Sequence, residues 1–325
     1  MALYLTEEDV EALVGVEDAI ASLDAAFAHW GQDGTVNLPR QRLPLPRRSL
    51  NLMAASFPAE GVFGHKAYFG GCYYFTLYSI AERRMLALIE ASALGAIRTG
   101  AASGVATRHM ARDNARTVAL IGAGKQGTTQ LQAICAVRRI ERARVFSRTA
   151  ETREAFARAM SKKLDIAVEP AADAESCVRG ADIVITATNS ATPVVLGDWL
   201  SPGCHVNVVG ANAVTRREVD GAAVQRAALV AVDDRAQARI EASELIDLAA
   251  AGRLDWNNVA ELGDIVRGAV PVRRGAGDIT LFKSLGIALE DVAFGNMIYR
   301  RALERGRGTE FGPAPGRPAN PGRRA

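Results

Sequence analysis

A glycine-rich turn that directly follows a short apolar run is the strongest chemical signal in the sequence. Residues 117–121, Thr-Val-Ala-Leu-Ile, lead into Gly122-Ala-Gly124-Lys125-Gln126-Gly127, and a helical pattern follows. Between a strand and a helix, Gly122 permits a tight turn, Gly124 lets the backbone approach a pyrophosphate, and Gly127 allows close packing. Another glycine-rich α/β turn would look similar, but this context favours a dinucleotide whose phosphates lie at the helix N-terminus.

The end of the next strand bears on the choice of cofactor. A site that prefers NAD usually places Asp or Glu there, about 20 residues beyond the glycines, to bind the ribose 2′-hydroxyl. Here the strand at 143–146 ends in Ser147, Arg148 and Thr149, whereas Glu141 precedes it. These side chains could hold a 2′-phosphate, so we expect NADP to be favoured over NAD. Arg148 could instead stack on the adenine of either cofactor.

Strands and helices alternate through the middle of the chain. Short apolar runs separated by helical stretches predict strands at 117–121, 143–146, 166–168, 183–188, 205–209 and 229–232. That succession predicts an α/β fold with a doubly wound, parallel Rossmann-type sheet. Thr188, Asn189 and Ser190 follow the fourth strand at its carboxyl end, where such a sheet exposes its ligand crevice. We therefore expect them to line the nicotinamide ribose.

The flanking segments predict a second, discontinuous α+β domain for substrate binding and dimerisation. Helical spacing at 16–30, strands at 62–69 and 73–78, and a Gly-, Ala- and Ser-rich helix at 94–110 precede the α/β repeat. An amphipathic stretch at 287–303 could return to pack on them.

The domain boundaries follow from this alternation. We assign 1–114 plus 275–304 to the substrate and dimerisation domain, and 115–274 to the dinucleotide-binding domain. The tail at 305–325 is rich in Gly, Pro and Arg, which predicts disorder.

Composition argues against several classes of protein. The chain has 325 residues, is 49% hydrophobic and carries a net charge of only +3, which gives no sign of a nucleic-acid partner. No apolar segment reaches the ~20 residues of a membrane span, and the N-terminus lacks a secretion signal, so we expect a cytoplasmic protein. The four cysteines and four histidines show no ligand spacing, so we expect no metal.

Five motifs, in order, resemble those of the ornithine cyclodeaminase/mu-crystallin family. They are Ile97-Arg98-Thr99-Gly100-Ala-Ala-Ser-Gly-Val-Ala-Thr, the Gly122 to Gly127 turn, Ala181-Asp-Ile-Val-Ile-Thr-Ala-Thr-Asn-Ser190, Pro202-Gly-Cys-His-Val-Asn-Val-Val-Gly210 and Gly277-Asp-Ile-Thr-Leu-Phe-Lys-Ser-Leu-Gly286. The resemblance covers nearly everything but the tail. It implies a homodimeric NAD(P)-dependent oxidoreductase acting on a small amino or imino acid, and it defines the cofactor chemistry better than the substrate.

The resemblance also implies which residues form the substrate site. Arg40 and Arg98 match arginines that grip the α-carboxylate of the substrate, as bidentate guanidinium groups do. Arg40 could equally be a solvated loop charge, whereas Arg98 lies among apolar residues, where a buried cation needs an anion that a substrate could supply. Lys66 matches a catalytic lysine whose pKa should be lowered by a cationic ring and two arginines. Without the resemblance, Lys66 would be interpreted as an ordinary lysine on the surface of a strand. Met53 matches a methionine that lies near the substrate in the family, and a plain core methionine is the alternative.

The cofactor contacts that the resemblance implies lie within the same motifs. These residues are Thr99, Gly122, Gly124, Lys125, Gln126, Gly127 and Lys283.

Two positions depart from the cyclodeaminases of this family. Asn212 stands where those enzymes carry an aspartate that activates the second amine of the substrate, and Asn51 stands where they carry a glutamate. Asparagine cannot accept a proton, so ring closure should be impaired while hydride transfer remains supported. We therefore expect an imine reductase or amino-acid dehydrogenase, with ornithine cyclodeaminase as the alternative. A crystallin-like protein that binds cofactor and carboxylate without turnover is the other alternative, and Lys66 speaks against it because binding alone does not need a proton donor.

Overall fold

Two β-sheets and eleven α-helices are formed by residues 1–312, the part of the chain that the computed structural model describes. The strands are β1 (Ala2–Leu5), β2 (Val36–Leu45), β3 (Arg48–Phe57), β4 (Val62–Phe69), β5 (Cys72–Ser79), β6 (Arg84–Glu90), β7 (Thr117–Ile121), β8 (Arg142–Phe146), β9 (Ala167–Pro170), β10 (Ile183–Thr186), β11 (His205–Val208), β12 (Ala227–Val232), β13 (Val259–Glu261), β14 (Ile279–Lys283) and β15 (Thr309–Phe311). The helices are α1 (Glu7–Leu13), α2 (Val16–Ala28), α3 (Ser92–Met110), α4 (Lys125–Val137), α5 (Ala150–Leu164), α6 (Ala174–Val178), α7 (Gly221–Arg226), α8 (Arg235–Glu241), α9 (Ser243–Ala250), α10 (Leu262–Val266) and α11 (Ala288–Arg305).

The larger sheet is the predicted parallel, Rossmann-type sheet. Its eight strands run in the order β13-β12-β14-β11-β10-β7-β8-β9, and every pairing within it is parallel. Helices cover both faces, so a central strand such as β10 is buried along its whole length, as parallel strands are. All six strands predicted between 117 and 232 are present, each with ends within two residues of the prediction, and the predicted fold class is confirmed.

The predicted domain boundary at residue 275 is wrong because β14 belongs to the parallel sheet. This strand lies between β11 and β12, in the middle of the sheet, and its five residues are all buried. A short run after a glycine-rich loop could not reveal a partner more than 70 residues earlier in the chain. Of the segment 275–304, α11 is the element that packs on the first domain.

The smaller sheet is mixed and has one covered face. Its order is β15-β1-β6-β5-β4-β3-β2, in which β1 pairs with β6 in parallel and the remaining pairs are antiparallel. Helix α11 packs against β3 and β4, and Phe75 and Leu77 of β5 join Phe294 in the core. The opposite side, here called the outer face, exposes Leu38, Leu52, Phe63 and Tyr74.

The predicted disorder from residue 305 is wrong for residues 305–312. Helix α11 ends at Arg305 with Gly306 in the left-handed region, and β15 then pairs with β1. The free edge of β1 offers unpaired N–H and C=O groups that a three-residue strand can satisfy without a hydrophobic pattern of its own. The remainder of that prediction, residues 313–325, lies outside the described residues.

Helix α3 joins the two sheets and sets the position of the site. Its first N–H groups, from Ser92 and Ala93, donate to the carboxylate of Glu7, each at 2.6 Å. Gly100 lets α3 lie close to α4, because a Cβ there would lie 2.6 Å from the Thr129 carbonyl oxygen. One end of α3 therefore meets the smaller sheet while its middle is held against the dinucleotide domain.

Candidate active site

A cavity of about 360 Å³ lies between the two sheets, where α3 meets the carboxyl ends of the parallel strands. A doubly wound sheet binds its ligands at these ends. The polar residues that line the cavity are Arg40, Lys66, Tyr68, Tyr73, Ser92, Arg98, Thr99, Lys125, Gln126, Asn212 and Ser284. Four of them are cations and none is an acid, so the cavity suits an anionic ligand.

Lys66 points into this cavity from the middle of β4. Alternation along the strand directs it inward, opposite Met53 of β3 and Phe75 of β5, and it is only 3% exposed. Its Nζ donates to Asp291 Oδ1 at 2.7 Å. Burial, assisted by Arg98 and opposed by Asp291, lowers the pKa of Lys66 to about 8. The structure therefore makes Lys66 a buried cation that can release a proton near neutral pH, and not a strand-surface lysine.

Arg98 lies on α3 with two internal carboxylates around it. Its Nη1 donates to Glu290 at 2.5 Å and its Nε donates to Asp291 at 3.0 Å. Burial alone would lower the pKa of Arg98, but these two carboxylates raise it above its ordinary value. From the sequence we expect the substrate to supply the anionic partner of Arg98, whereas in the structure α11 supplies two carboxylates. Nη2 has no hydrogen-bond partner within residues 1–312, so this nitrogen of the Arg98 guanidinium is available to a ligand.

Arg40 is a buried residue of β2, so the alternative of a solvated loop charge is wrong. Its Nη1 donates to Glu241 at 2.6 Å, and its Nη2 donates to the carbonyl oxygens of Leu285 and Gly286, both at 2.8 Å. Arg42 shares Glu241 and also donates to the Asn212 carbonyl oxygen at 2.7 Å. The two arginines tie the smaller sheet to the dinucleotide domain, and the guanidinium of Arg40 borders the cavity.

The remaining substrate candidates divide into two groups. Asn212 lines the cavity, as the sequence predicts. Met53 is 3% exposed, belongs to the hydrophobic core and is absent from the cavity lining, so core packing accounts for its position. Asn51 also lies outside the lining and donates to the Ser49 carbonyl oxygen at 3.2 Å.

The glycine turn has a backbone that leaves no room for a side chain at two of its glycines and open space at the third. Gly122 has a φ of 115°, and a Cβ on Gly127 would lie 2.2 Å from the Gly122 carbonyl oxygen. A Cβ on Gly124 would meet nothing within 4 Å, and α4 begins there without a side-chain cap. Open space in front of uncapped N–H groups fits a pyrophosphate. Thr99, Lys125 and Gln126 line the adjoining cavity.

The residues after β8 lie beside this turn. Gly122 N–H donates to the Phe146 carbonyl oxygen at 2.9 Å, which brings Ser147, Arg148 and Thr149 next to the glycines. Arg148 is exposed, and Glu141 precedes β8 at the opposite end of the strand. Sequence reasoning missed Arg153 of α5, which donates to the Ser147 carbonyl oxygen at 3.1 Å and covers the Phe146 ring.

One buried acid, Glu218, holds together the loops after β10 and β11. Its Oε1 accepts from the backbone N–H of Thr188 at 2.6 Å and from the Thr188 hydroxyl at 2.8 Å. Its Oε2 accepts from the N–H groups of Gly210 at 2.6 Å and Ala211 at 3.2 Å. Thr188, with Asn189 and Ser190 behind it, is therefore fixed next to the loop that carries Asn212.

Lys283 supports the same loop from β14 instead of lining the cavity. Its Nζ donates to the Ala211 carbonyl oxygen at 2.5 Å and lies 3.7 Å from Glu244. The sequence placed Lys283 at the cofactor on resemblance alone. The structure shows it fully buried, one residue before Ser284 reaches the cavity wall.

The acids Glu218, Glu241, Glu290 and Asp291 were also missed. A carboxylate in the first turn of a helix is common, because it interacts favourably with the helix dipole, so Glu290 and Asp291 gave no signal of their own. Only the expectation that cations elsewhere in the chain are buried could have indicated that acidic side chains pair with them.

Residues 1–312 contain neither a metal-binding cluster nor a membrane-spanning helix. In that range no group of three or more His, Cys, Asp or Glu side chains is arranged to hold a metal ion. None of the helices in the range is both long and apolar enough to cross a membrane.

Comparisons with known proteins identify the family. The profile of the ornithine cyclodeaminase/mu-crystallin family matches residues 2–306, and this chain belongs to that family, as the motifs predicted. It is 32% identical over 323 residues to a Delta(1)-pyrroline-2-carboxylate reductase of Bacillus cereus, covering 94% of this chain and 98% of the relative.

Among the solved structures that are similar to this chain, two illustrate a likeness over nearly its whole length. Delta(1)-pyrroline-2-carboxylate reductase of Thermococcus litoralis, in complex with NADH and L-proline, has a TM-score of 0.91 at 32% identity and covers 95% of this chain and 100% of its own. An archaeal alanine dehydrogenase dimer with bound NAD has a TM-score of 0.89 at 27% identity, covering 96% and 99%.

Replacing Glu218 with Gln should destabilise the protein. The amide keeps one acceptor and turns an NH₂ group towards buried N–H donors, so we expect a loss of about 1–3 kcal/mol of unfolding free energy. Glu175→Gln is the matched control, since its partner Arg179 is an exposed neighbour at the end of α6 and loss of such a pair costs less than about 1 kcal/mol. Urea unfolding followed by circular dichroism measures both, and an equal midpoint for Glu218→Gln and the wild type would contradict the role given to this carboxylate.

Proposed function

We propose that the protein reduces a small cyclic imino acid, of the Δ1-pyrroline-2-carboxylate type, with a nicotinamide cofactor. Relatives over nearly the full length are named reductases and dehydrogenases, so the predicted class, an NAD(P)-dependent oxidoreductase, is confirmed. The choice of substrate is supported chiefly by one observation. The cavity presents Arg40, Lys66, Arg98 and Lys125 and has no acidic side chain among its lining residues.

The substrate carboxylate would bind at Arg98. Nη2 of Arg98 is the nitrogen of its guanidinium that the internal carboxylates leave unused, and Arg40 adds positive charge on the other wall. A charge-assisted hydrogen bond from a guanidinium as buried as that of Arg98 to a carboxylate is strong. This contact fixes one end of the substrate.

Lys66 would deliver the proton. A reduced nicotinamide cofactor, held by its pyrophosphate at the glycine turn, would supply the hydride for the imine carbon, and reduction is completed when the imine nitrogen gains a proton. Lys66 is the buried amine in the cavity, and its pKa of about 8 keeps it charged at neutral pH while allowing it to release the proton. Turnover needs a proton donor whereas binding alone does not, so this buried amine favours an enzyme over a protein that only binds its ligand.

Ornithine cyclisation is less well supported. That reaction needs a group that binds the distal amine and accepts its proton, and the side chain facing the cavity at the relevant position is the amide of Asn212. A distal ammonium would meet four cations and no lining carboxylate. Cyclodeaminase activity therefore remains the alternative, and its products distinguish it from imine reduction.

NADP is the preferred cofactor in this proposal. The 2′-phosphate would lie near Ser147, Arg148 and Thr149, beside the glycine turn, where no acid follows β8. Arg148 is exposed and Arg153 holds the Ser147 carbonyl oxygen, which together favour an anion. NAD is the alternative, and it is the cofactor bound in the alanine dehydrogenase structure.

A second copy of this chain would cover the outer face of the smaller sheet. Leu38, Leu52, Phe63 and Tyr74 on neighbouring strands are between 41% and 56% exposed, and α11 packs only on the other side. Several exposed apolar side chains on one face of a sheet are typical of a protein interface. The homologous alanine dehydrogenase is a dimer.

The reaction is tested by comparing substrates. We expect Δ1-pyrroline-2-carboxylate to oxidise the reduced cofactor efficiently, with kcat/KM falling above about pH 8 as Lys66 loses its proton. Lys66→Ala should lower kcat by about 10²-fold or more, whereas Lys162→Ala, an exposed lysine on α5, should not. Arg98→Ala should mainly raise KM. Ammonia and proline formed from ornithine without net cofactor use, at a higher rate, would refute the proposal.

Cofactor preference is tested by binding. NADPH should bind more tightly than NADH, and Arg148→Ala should weaken NADPH selectively, because a charge-assisted contact to the 2′-phosphate is lost. Fluorescence titration of the reduced cofactors measures both constants, with Arg158→Ala as a control from the exposed face of α5. Equal weakening of NADH and NADPH would rule out this role for Arg148.

Assembly is tested by mass in solution. Light scattering should give twice the chain mass of 34.5 kDa. Phe63→Arg should yield monomers because a charge would be buried in the apolar interface, whereas Leu196→Arg, at a comparably exposed leucine of the other domain, should not. A monomeric wild-type protein, or a dimer unaffected by Phe63→Arg, would be evidence against this interface.

A further inference from the structure

One carboxylate contacts both the residue that would donate the proton and the residue that would bind the substrate carboxylate. Asp291 is fully buried near the start of α11, and its Oδ1 accepts from Lys66 Nζ at 2.7 Å and from Arg98 Nε at 3.0 Å. Lys66 comes from β4 and Arg98 from α3, so no local structure fixes their spacing. Asp291 is the point at which the two are joined.

Its neighbour Glu290 has a narrower set of contacts. Glu290 Oε2 accepts from Arg98 Nη1 at 2.5 Å, while Oε1 is buried without a partner among the described residues. The hydrogen bond of Lys66 goes to Asp291, and that of Glu290 comes from Arg98. The two adjacent acids of α11 therefore differ in one respect, namely contact with the lysine.

We propose that Asp291 is a positioning residue that fixes Lys66 and Arg98 relative to each other, whereas Glu290 acts on Arg98 alone. This inference rests on the proposed function, in which Lys66 and Arg98 hold opposite ends of one small substrate. Two cations on long side chains repel each other, and a shared carboxylate both offsets that repulsion and limits their rotamers. A displacement of about 1 Å between reacting groups can cost about 10²-fold in rate.

The charges around Lys66 determine the expected effect on its protonation. Arg98 faces it from α3, Arg40 from β2, and Asp291 from α11, with Glu290 beyond Arg98. Tyr68 lies on its own strand with its ring 5.8 Å away, and the facing residues of β3 and β5 are the uncharged Met53 and Phe75. Asp291 is the acid that raises the pKa of Lys66, against burial and Arg98. Without its charge, Lys66 should lose its proton at lower pH.

The test is a direct titration of Lys66 by NMR. The chain has only five lysines, Lys66, Lys125, Lys162, Lys163 and Lys283, so [13C]lysine labelling gives a small set of Cε signals, and Lys66→Arg identifies one of them. Asp291→Asn should lower the pKa of Lys66 by about one pH unit or more, since an ion-pair partner is lost. Glu290→Gln is the matched control, and its effect on Lys66 should be less than half as large.

Kinetics provide the second measurement. Asp291→Asn should move the loss of kcat/KM to lower pH and reduce kcat, while Glu290→Gln should mainly raise KM for the carboxylate substrate. An unchanged titration of Lys66 in Asp291→Asn would overturn the inference. If the titration shifts but the pH profile of the reduction does not, Asp291 still sets the state of Lys66, and it is the proposed proton transfer from Lys66 that fails.

A second variant, Asp291→Glu, tests the inference if Asp291→Asn does not fold. It keeps the charge but moves it by one methylene, so the pKa of Lys66 should stay near 8 while kcat falls at least about tenfold from misplacement. Wild-type kcat in Asp291→Glu would also overturn the inference.

Discussion

Three cations, Arg40, Lys66 and Arg98, are buried at the boundary between the two sheets, and the rest of the structure depends on this constraint. A buried charge without a partner is costly, so each cation requires a carboxylate. Arg40 is paired with Glu241, Lys66 with Asp291 and Arg98 with Glu290, at sequence separations of 201, 225 and 192 residues. These pairs explain why the first domain is discontinuous, since α11 must return across the parallel sheet to neutralise the charges on β4 and α3.

The same pairing determines what the cavity offers a ligand. The acids stand behind the cations, on α8 and α11, and none of them reaches the lining. The charges of the three buried cations are thus compensated within the protein, but the surface that lines the cavity is positive. Such an arrangement favours a carboxylate over an ammonium and keeps the cations buried when no ligand is bound. Binding chemistry and fold stability therefore come from one set of contacts.

The sequence predicted the parts of the molecule that have a local pattern. Strands of the parallel sheet are continuous apolar runs, and the glycine turn needs specific conformations at Gly122 and Gly127, so both leave clear signals. Contacts between distant segments leave none. The central place of β14 depends on β11 and β12, and the buried role of Lys283 depends on the Ala211 carbonyl oxygen. The acids that pair with Lys66 and Arg98 resemble ordinary residues of a first helical turn.

The loop after β11 shows how one scaffold can carry different reactions. Its backbone is held at Ala211 by Glu218 and Lys283, and at Asn212 by Arg42, which donates to the carbonyl oxygen of that residue. None of these contacts involves the Asn212 side chain, which borders the cavity. The support of the loop is thus independent of the residue at 212. A change of this one side chain, from an amide to an acid, would alter the proton chemistry available to a substrate while the carboxylate site and the glycine turn stay in place.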